Sequence, residues 1–282
     1  MKKICLVTGG SSGIGKAIAM GLARLDFKVF IIAKDEEELN KSCREITETT
    51  GNPEIVTFAV DLSSQTDIRK FTGLFKRQIT HLDILINNAG VNLPDRRLTS
   101  EGIEYMFAVN HLAPFLLTNL LLDKLKAAEQ ALIINIASNG EKYALFDPGN
   151  LQGEKQFKGM KQYCITKLCN LMFSYELSRR LEHSEITCNA VHPGGVRTNI
   201  MKNYKPFSLP GMVWKILYPK LNKPEKVARS IINLITSGTF KDTNGGYFFN
   251  GKLFNSSPTS YDTGKAAQLW EISERLAGIK RE

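Results

Sequence analysis

Tyr163 and Lys167 are the two residues of this 282-residue chain whose types and spacing most directly suggest chemistry. They stand four apart in "YCITK", so on a helix they share one face and their polar ends can converge on one site. A free phenol has a pKa of about 10, and a nearby ammonium favours the phenolate, which brings the phenol towards working pH. Tyr163 can then act as a general acid or base. Alone, this spacing is also typical of a core tyrosine beside a surface lysine.

A glycine-rich stretch, "TGGSSGIG" at residues 8 to 15, is the second feature that can do chemistry. Gly9, Gly13 and Gly15 follow an apolar run and lead into a helical pattern, where free N–H groups and a positive dipole end suit a pyrophosphate. The stretch nearly completes a phosphate loop of the form GxxxxGK[ST]. Ala17 stands where the hydroxyl that binds magnesium should be. The loop therefore favours a dinucleotide over a nucleoside triphosphate, with plain turn glycines as the other alternative.

Strand patterns alternate with helical patterns and must position these groups. Segments 36–48 and 66–79 are amphipathic, and 113–122 is typical of a buried helix. Six apolar runs are typical of strands covered on both faces of a parallel sheet. They are 3–8, 28–33, 54–60, 82–87, 131–137 and 186–191. We therefore predict one α/β domain over residues 1–282, a doubly wound parallel sheet of about seven strands with helices on both faces.

Composition and charge argue against several classes of protein. The net charge is +9, from 37 basic and 28 acidic residues, but the basic residues are scattered, so we expect no nucleic-acid partner. No run approaches the roughly 20 apolar residues of a membrane-spanning helix, and the first apolar run is shorter than a signal-peptide core. We expect a cytoplasmic protein without a metal site and with reduced thiols. The five cysteines lack a CxxC pair and are Cys5, Cys43, Cys164, Cys169 and Cys188.

One stretch, 203–224, departs from the alternation and contains four prolines, so we expect an excursion from the sheet at about 199–224, on the substrate side. It could form an apolar wall for a bulky or lipophilic substrate. A surface-seeking amphipathic segment is an alternative, and ordinary core packing is a third. The apolar residues are Phe207, Met212, Val213, Trp214, Ile216, Leu217 and Tyr218, and the flanking lysines are Lys202, Lys205, Lys215, Lys220 and Lys223. Peripheral membrane contact and homo-oligomerisation both stay open.

Five motifs together resemble the short-chain dehydrogenase/reductase family from about residue 3 to about 250. Besides the glycine stretch and "YCITK", they are "NNAG" (87–90), "NIASNG" (135–140) and "HPGGVRT" (192–198), with Asn110 in "FAVNHLAPF". Within that family, "NLQGEK" (150–155) and "VHPGGVRTNI" (191–200) resemble the retinol dehydrogenase and protochlorophyllide reductase branch. The resemblance implies a Rossmann-like fold and hydride transfer between a nicotinamide and a carbonyl or alcohol. A bulky substrate such as a retinal-like aldehyde or ketone would suit the branch.

The resemblance also implies a site. Its catalytic set is Asn110, Ser138, Tyr163 and Lys167, in which Ser138 hydrogen-bonds the substrate oxygen and Asn110 holds a water linking Lys167 to solvent. Tyr163 follows Ser138 by 25 positions, and the chain between them should include a loop near the substrate mouth, at 143–160. The implied cofactor-binding residues are Gly9, Ser11, Ser12, Gly13, Ile14, Gly15, Lys34, Asp61, Leu62, Asn88, Ala89, Gly90, Tyr163, Lys167, Pro193, Gly194, Val196 and Thr198.

The end of the second predicted strand bears on the choice of cofactor. Ala33 occupies the position where NAD users of the family place an acid, and Lys34 follows it, so NADP(H) is favoured over NAD(H). The acidic Asp35 and the uncharged Ser12 argue the other way. An alternative to an enzyme is a regulatory or scaffold protein that binds NADP(H) with little turnover. The complete set of Ser138, Tyr163 and Lys167 favours the enzyme.

Overall fold

The centre of the molecule is one twisted sheet in the computed structural model, which describes residues 2–205 and 207–279. Its strands are β1 (Ile4–Thr8), β2 (Lys28–Ala33), β3 (Ile55–Ala59), β4 (Ile84–Asn87), β5 (Ala131–Ile136), β6 (Ile186–His192), β7 (Tyr247–Phe249) and β8 (Lys252–Leu253). The order is β3-β2-β1-β4-β5-β6-β7-β8, and all neighbours are parallel except β7 and β8. The doubly wound parallel sheet is confirmed, with one short antiparallel strand added. Positive φ angles at Asn250 and Gly251 make the tight turn that β8 needs.

Helices cover both faces of the sheet. They are α1 (Gly13–Arg24), α2 (Glu36–Thr50), α3 (Gln65–Gln78), α4 (Tyr105–Phe107), α5 (Ala113–Leu120), α6 (Leu122–Lys126), α7 (Gly159–Arg180), α8 (Leu209–Leu217), α9 (Pro224–Thr236), α10 (Thr239–Asp242) and α11 (Thr263–Ala277). A π-helical turn, Ala108–Leu112, joins α4 to α5. Within residues 2–205 and 207–279, no helix combines the length and the apolar character needed to cross a membrane.

Alternating side chains of the central strands pack into two separate hydrophobic cores, one on each face of the sheet. Leu6 and Phe30 point to one face, where they join Phe75 of α3. Val7 and Ile31, one residue further along each strand, belong to the opposite core. Because successive strand side chains point to opposite faces and both faces are covered, most residues of these strands are apolar. This arrangement explains the continuous apolar runs in the sequence.

The carboxyl ends of four neighbouring strands meet at one edge of the sheet. Strands β1, β4, β5 and β6 end there at Thr8, Asn87, Ile136 and His192. After β1 the chain builds β2 and β3 on one side and then returns to build β4 on the other side. A crevice opens outside the strand ends at such a switch point, and ligands of open α/β sheets bind there. The segments that carry the predicted site residues all leave this edge.

Candidate active site

The glycine loop after β1 is packed against the segment after β4. Thr8 Oγ1 accepts hydrogen bonds from the backbone N–H groups of Asn88 and Ala89, both at 2.9 Å, and Asn88 Nδ2 donates to the Thr8 carbonyl at 2.9 Å. Gly9 has φ +65°, and a Cβ added to it would lie 3.0 Å from Ala89 Cα. A Cβ on Gly15 would lie 2.3 Å from the Gly9 carbonyl oxygen. Both glycines are therefore required by close backbone approach.

The N-terminus of α1 is presented differently from those of α2 and α3. Asp35 and Ser64 cap α2 and α3 by accepting hydrogen bonds from backbone N–H groups, whereas the Ser12 side chain makes no such bond to α1. No acidic side chain lies in the first turn of α1. Gly13 has φ +54°, and its hydrogen faces the Thr198 side chain, since a Cβ there would lie 3.3 Å from Cγ2. This end of α1, with glycines around it, fits a dinucleotide pyrophosphate.

Other predicted cofactor residues lie in the segments that follow β1, β3 and β6. Gly194 turns the chain after β6 with φ +76°, and Val196 is buried and pairs with Asn222. Leu62 is also buried. The Ser11 backbone is held in place by Ser42, whose Oγ donates a hydrogen bond to the Ser11 carbonyl at 2.6 Å. The structure thus brings the loops after β1, β4 and β6 together.

Lys34 lies at the end of β2 and points towards β3. Its ammonium pairs with Asp61 at 2.7 Å, and the Lys34 side chain is 66% exposed. The hydrogen bond that Lys34 donates to Asp61 raises the pKa of Lys34. The neighbouring acid predicted to weigh against NADP, Asp35, is used elsewhere as the cap of α2, where it accepts from Glu38 N at 2.8 Å. Lys34 therefore offers an accessible cation at the edge of the crevice.

Asn110 is fully buried in the π-helical turn and connects two parts of the site. Its Oδ1 accepts from Val91 N at 2.8 Å, and its Nδ2 donates to Val91 O at 2.9 Å and to Thr166 Oγ1 at 3.0 Å. Both N–H groups of the amide are therefore used within the protein. Asn110 fixes the chain that follows "NNAG" to α7, one residue before Lys167. Its role in holding a water stays a prediction.

Lys167 is a buried ammonium behind the site. Only 3% of the residue is exposed, and Nζ donates to the carbonyl of Ile136, the last residue of β5, at 2.9 Å. Burial lowers the pKa of Lys167 to about 8. A Cβ on Gly90 would lie 3.6 Å from Lys167 Nζ and 3.5 Å from Asn110 Oδ1, so both polar groups border the same small space.

The two predicted hydroxyls, Ser138 and Tyr163, meet in front of Lys167. Burial raises the pKa of Tyr163 to about 12, the Cys164 thiol adds to this, and a hydrogen bond with Ser138 works in the opposite direction. The expected lowering of the Tyr163 pKa by Lys167 is wrong for this state of the protein. Lys167 Nζ lies 5.7 Å from the centre of the tyrosine ring and donates to Ile136 instead. Tyr163 is therefore a protonated phenol at neutral pH.

A histidine that sequence reasoning did not single out holds the turn after Ser138. His192 Nδ1 accepts hydrogen bonds from Asn139 N at 3.2 Å and from Gly194 N at 3.3 Å. Burial and the nearby Lys142 lower the pKa of His192 to about 4, so the ring stays neutral and can accept both bonds. Its ring stacks on Phe249. His192 thus ties the Ser138 turn to the predicted cofactor loop after β6.

Two buried carboxylates support the catalytic elements. Glu141, three residues after Ser138, is fully buried and accepts from the N–H of Ser257 at 3.0 Å and from its hydroxyl at 2.5 Å. Glu104 caps α4 and accepts from Gln162 Nε2 at 3.0 Å. Because Gln162 precedes Tyr163, this bond holds the first turns of α7. The only sequence signal for Gln162 or Glu141 was a position within three residues of a predicted catalytic residue.

The expected substrate mouth is bordered by the segments after β4 and β6. Tyr204 Oη donates to Asn92 Oδ1 at 3.1 Å, and Asn203 Nδ2 donates to the Asn92 carbonyl at 3.2 Å. Asn92 Nδ2 also lies 3.3 Å from the sulfurs of Met160 and Met201. These contacts anchor the beginning of the 199–224 excursion beside the start of α7. The predicted loop at 143–160 is irregular over 144–158 and ends at the same place.

The apolar residues of 207–218 do not pack inward against the substrate mouth. Six of the seven are exposed, and Trp214 is half-buried and packs edge-on against Tyr218. Phe207 is 91% exposed and Ile216 is 69% exposed. Core packing of this set is therefore excluded by the structure.

The sheet order and the crevice at the strand ends are those of a nucleotide-binding α/β oxidoreductase, and the acid–base role of Tyr163 stays a prediction. Residues 3–208 match the family model of the short chain dehydrogenases, and the chain belongs to that family. Mouse retinol dehydrogenase 11 is 34% identical over 277 residues, covering 98% of this chain and 87% of the relative. Human retinol dehydrogenase 13 is 35% identical over 286 residues, covering 99% and 85%.

A solved structure shares the fold. The short chain dehydrogenase from Burkholderia cenocepacia J2315, in complex with NADP, superposes with a TM-score of 0.69 at 24% identity, covering 88% of this chain and 95% of that one. The chain is thus a short-chain dehydrogenase of the retinol dehydrogenase branch, an oxidoreductase of alcohol and carbonyl groups with a fold for a nicotinamide cofactor.

Proposed function

We propose that this enzyme uses NADP(H) to interconvert a bulky, lipophilic aldehyde or ketone and its alcohol, with Asn110, Ser138, Tyr163 and Lys167 as its working residues. The observation that carries the proposal is that the side chains of Ser138 and Tyr163 lie close together beside the buried ammonium of Lys167. A regulatory protein has no chemical use for this combination of groups.

The chain's own groups suit carbonyl reduction. The bound cofactor supplies the hydride when it is reduced, and accepts it when it is oxidised. Ser138 and Tyr163 both hydrogen-bond the carbonyl oxygen, which stabilises the negative charge that develops there. Tyr163 then donates its phenolic proton to that oxygen, and the phenolate that is left lies beside the Lys167 ammonium, which is 5.7 Å from the centre of the ring. Because Tyr163 is protonated at neutral pH, it can serve as the proton donor when the carbonyl is reduced.

The preference for NADP(H) rests on Lys34. Its exposed ammonium lies at the end of β2, where the ribose of a dinucleotide is expected in this fold. The Burkholderia relative was solved with NADP. Asp61 holds the Lys34 side chain in place from the neighbouring strand, and a 2′-phosphate would share this cation.

A lipophilic substrate is supported by the mouth and by the relatives. Met160, Met201 and Tyr204 converge on Asn92 beside the start of α7, and methionines adapt well to bulky apolar ligands. Relatives of similar length are named retinol dehydrogenases. We therefore place retinal-like aldehydes within the expected range of substrates.

The test of the function is a turnover screen followed by nicotinamide absorbance. Retinal, long-chain aldehydes, aromatic ketones and small aldehydes are each supplied with NADPH and with NADH. We expect reduction of the bulky members with NADPH. Nucleotide binding without turnover of any carbonyl or alcohol would instead support the scaffold alternative.

The cofactor preference has its own matched pair of variants. Lys34→Ala removes a charge-assisted hydrogen bond worth about 1.5 to 3 kcal/mol, so kcat/KM should fall about tenfold or more with NADPH and little with NADH. Lys28→Ala removes the same charge at the opposite end of β2 and should leave both values unchanged. All measurements share one ionic strength because salt screens phosphate contacts. An equal loss with both cofactors in Lys34→Ala would defeat the assignment.

A further inference from the structure

We propose that α8 and the chain on either side of it dock on an anionic lipid bilayer and bring the substrate mouth to the membrane surface. The docking surface, called here the α8 surface, consists of exposed apolar residues and the lysines around them. The apolar members are Phe207, Met212, Val213, Ile216, Leu217 and Tyr218. The use of the bilayer as a source of lipophilic substrate rests on the proposed function, whereas the docking itself does not.

The apolar members share one side of α8. Met212 and Ile216 stand four apart, as do Val213 and Leu217, so the four side chains form one stripe. All four are exposed, and Phe207, just before the helix, is 91% exposed. A contiguous exposed apolar stripe on a folded protein marks a contact with a partner or a membrane.

The charges around the stripe identify the kind of partner. Residues 186–224 contain six basic side chains and no aspartate or glutamate. Five of the six are exposed lysines, and none of these five makes an ion pair with any residue in 2–205 or 207–279; they are Lys202, Lys205, Lys215, Lys220 and Lys223. Apolar side chains ringed by lysines suit a surface of acyl chains and anionic headgroups.

The same charges argue against a second copy of the chain as the occupant. A two-fold symmetric contact sets one patch against itself. The five lysines would then face five lysines, without a carboxylate from residues 186–224 to neutralise them. An anionic bilayer satisfies both the charge and the apolar stripe.

The position of the α8 surface connects docking to the site. The excursion that carries it is fixed at its beginning by Tyr204 and Asn203, which donate hydrogen bonds to Asn92 beside the mouth. A Cβ on Gly159, at the start of α7, would lie 2.7 Å from Tyr204 Oη, four residues before Tyr163. Arg197 donates through Nε to the Leu221 carbonyl at 3.0 Å and thereby fixes the far end. Docking of α8 would therefore hold the mouth close to the lipid.

Vesicle sedimentation of the full chain tests the proposal. We expect binding to vesicles of phosphatidylcholine with phosphatidylserine, and much weaker binding to phosphatidylcholine alone or at high salt. Changing the five lysines to glutamine should reduce binding by about fivefold for each lysine that faces the lipid. The pair Phe207→Ser and Ile216→Ser should reduce it as well. Both sets are exposed, so folding, checked by circular dichroism, should be retained.

Matched controls change equal numbers of exposed side chains elsewhere. Glutamine at Lys3, Lys41, Lys70, Lys126 and Lys252 alters the net charge by the same amount, and Leu25→Ser with Leu74→Ser alters exposed apolar side chains. We expect these controls to bind more tightly than their α8 counterparts. Equal binding by control and α8 variants, or no binding by the wild type, would overturn the proposal. Dimerisation that Ile216→Ser abolishes, without vesicle binding, would also overturn it in favour of a second copy.

Turnover of a water-soluble aldehyde with NADPH is measured separately on the wild type. Vesicle binding without turnover would contradict the proposed function and leave docking supported. Turnover without vesicle binding would leave the enzyme supported and reject docking.

Discussion

The catalytic cluster and the α8 surface obey opposite rules, although both follow strands that end at the same edge of the sheet. In the cluster, the Asn110 amide and the Lys167 ammonium are buried and have protein partners. At the α8 surface, apolar side chains are exposed and the lysines lack ion pairs in the described ranges. A site that transfers a proton needs side chains held in a fixed geometry by protein partners. A surface that binds a bilayer instead needs apolar and basic side chains that are not already packed or paired within the protein.

The largest expected effect concerns the phenol in the catalytic cluster. Tyr163→Phe removes the transferable proton and keeps the ring, so kcat should fall by roughly 10² to 10⁴, with the fold retained. Tyr143→Phe is the matched control, because Tyr143 is 80% exposed and lies just after the Ser138 turn. Near-normal kcat in Tyr163→Phe, measured with the best substrate of the screen, would remove the phenol from the mechanism.

The buried ammonium of Lys167 should make the stability of the protein depend on pH. The pKa of Lys167 is about 8 in the folded protein and about 10.5 in a free side chain, so the unfolded state binds more protons between these values. The ammonium therefore costs folding free energy below pH 8, and this cost fades as the pH rises. We therefore expect the free energy of unfolding of the wild type, measured with denaturant, to rise by about 2 kcal/mol relative to that of Lys167→Met between pH 8 and pH 10.

Other groups that titrate in this range cancel in that comparison. Burial raises the pKa of Cys5, Cys164, Cys169 and Cys188, which destabilises the folded protein above pH 9 to the same extent in both proteins. If the difference in unfolding free energy between the wild type and Lys167→Met did not change with pH, the lysine would not be held in a desolvated site.

The glycine loop should respond through cofactor affinity. Gly13→Val places a side chain against Thr198 and at the predicted pyrophosphate site, so the Kd for NADPH should rise by about tenfold or more. Gly51→Val is the control for backbone strain, because Gly51 also has a positive φ, +72°, but has open space around it at the end of α2. Fluorescence titration that gives the same Kd for both folded variants would return Gly13 to a plain turn residue.

The smallest effect is expected at the α8 surface. Ile216→Ala removes an exposed side chain and should change the unfolding free energy by less than about 0.5 kcal/mol. Leu168→Ala, next to Lys167 and fully buried, should cost about 2 to 5 kcal/mol. A large loss in Ile216→Ala would mean that α8 packs against the body of the protein, and it would weaken the contrast drawn between the two regions.

The sequence predicts what depends on local patterns. Six strands begin and end within two residues of their predicted bounds, because continuous apolar runs are required wherever both faces are covered. Ser138 and Tyr163 could be paired because both belong to motifs with fixed positions relative to strands.

What depends on distant contacts could not be predicted. Glu141 finds its partner Ser257 across 116 residues, and no spacing rule connects them. The pKa of Tyr163 depends on burial and on where Lys167 Nζ points, neither of which local sequence specifies. The exposure of Phe207 and Ile216 could not be predicted either, because the same composition fits a wall of the substrate site, a part of the core or a surface helix.

Transfer of an isotope from the cofactor to the substrate tests the proposed hydride transfer. The enzyme is given a bulky aldehyde and NADPH that carries deuterium at the transferable position of the nicotinamide. The proposed mechanism predicts an alcohol with one deuterium on the carbinol carbon, formed by the wild type and by Tyr143→Phe but only at a trace rate by Tyr163→Phe. Binding of the labelled cofactor without any deuterated alcohol, across every carbonyl of the screen, would contradict it.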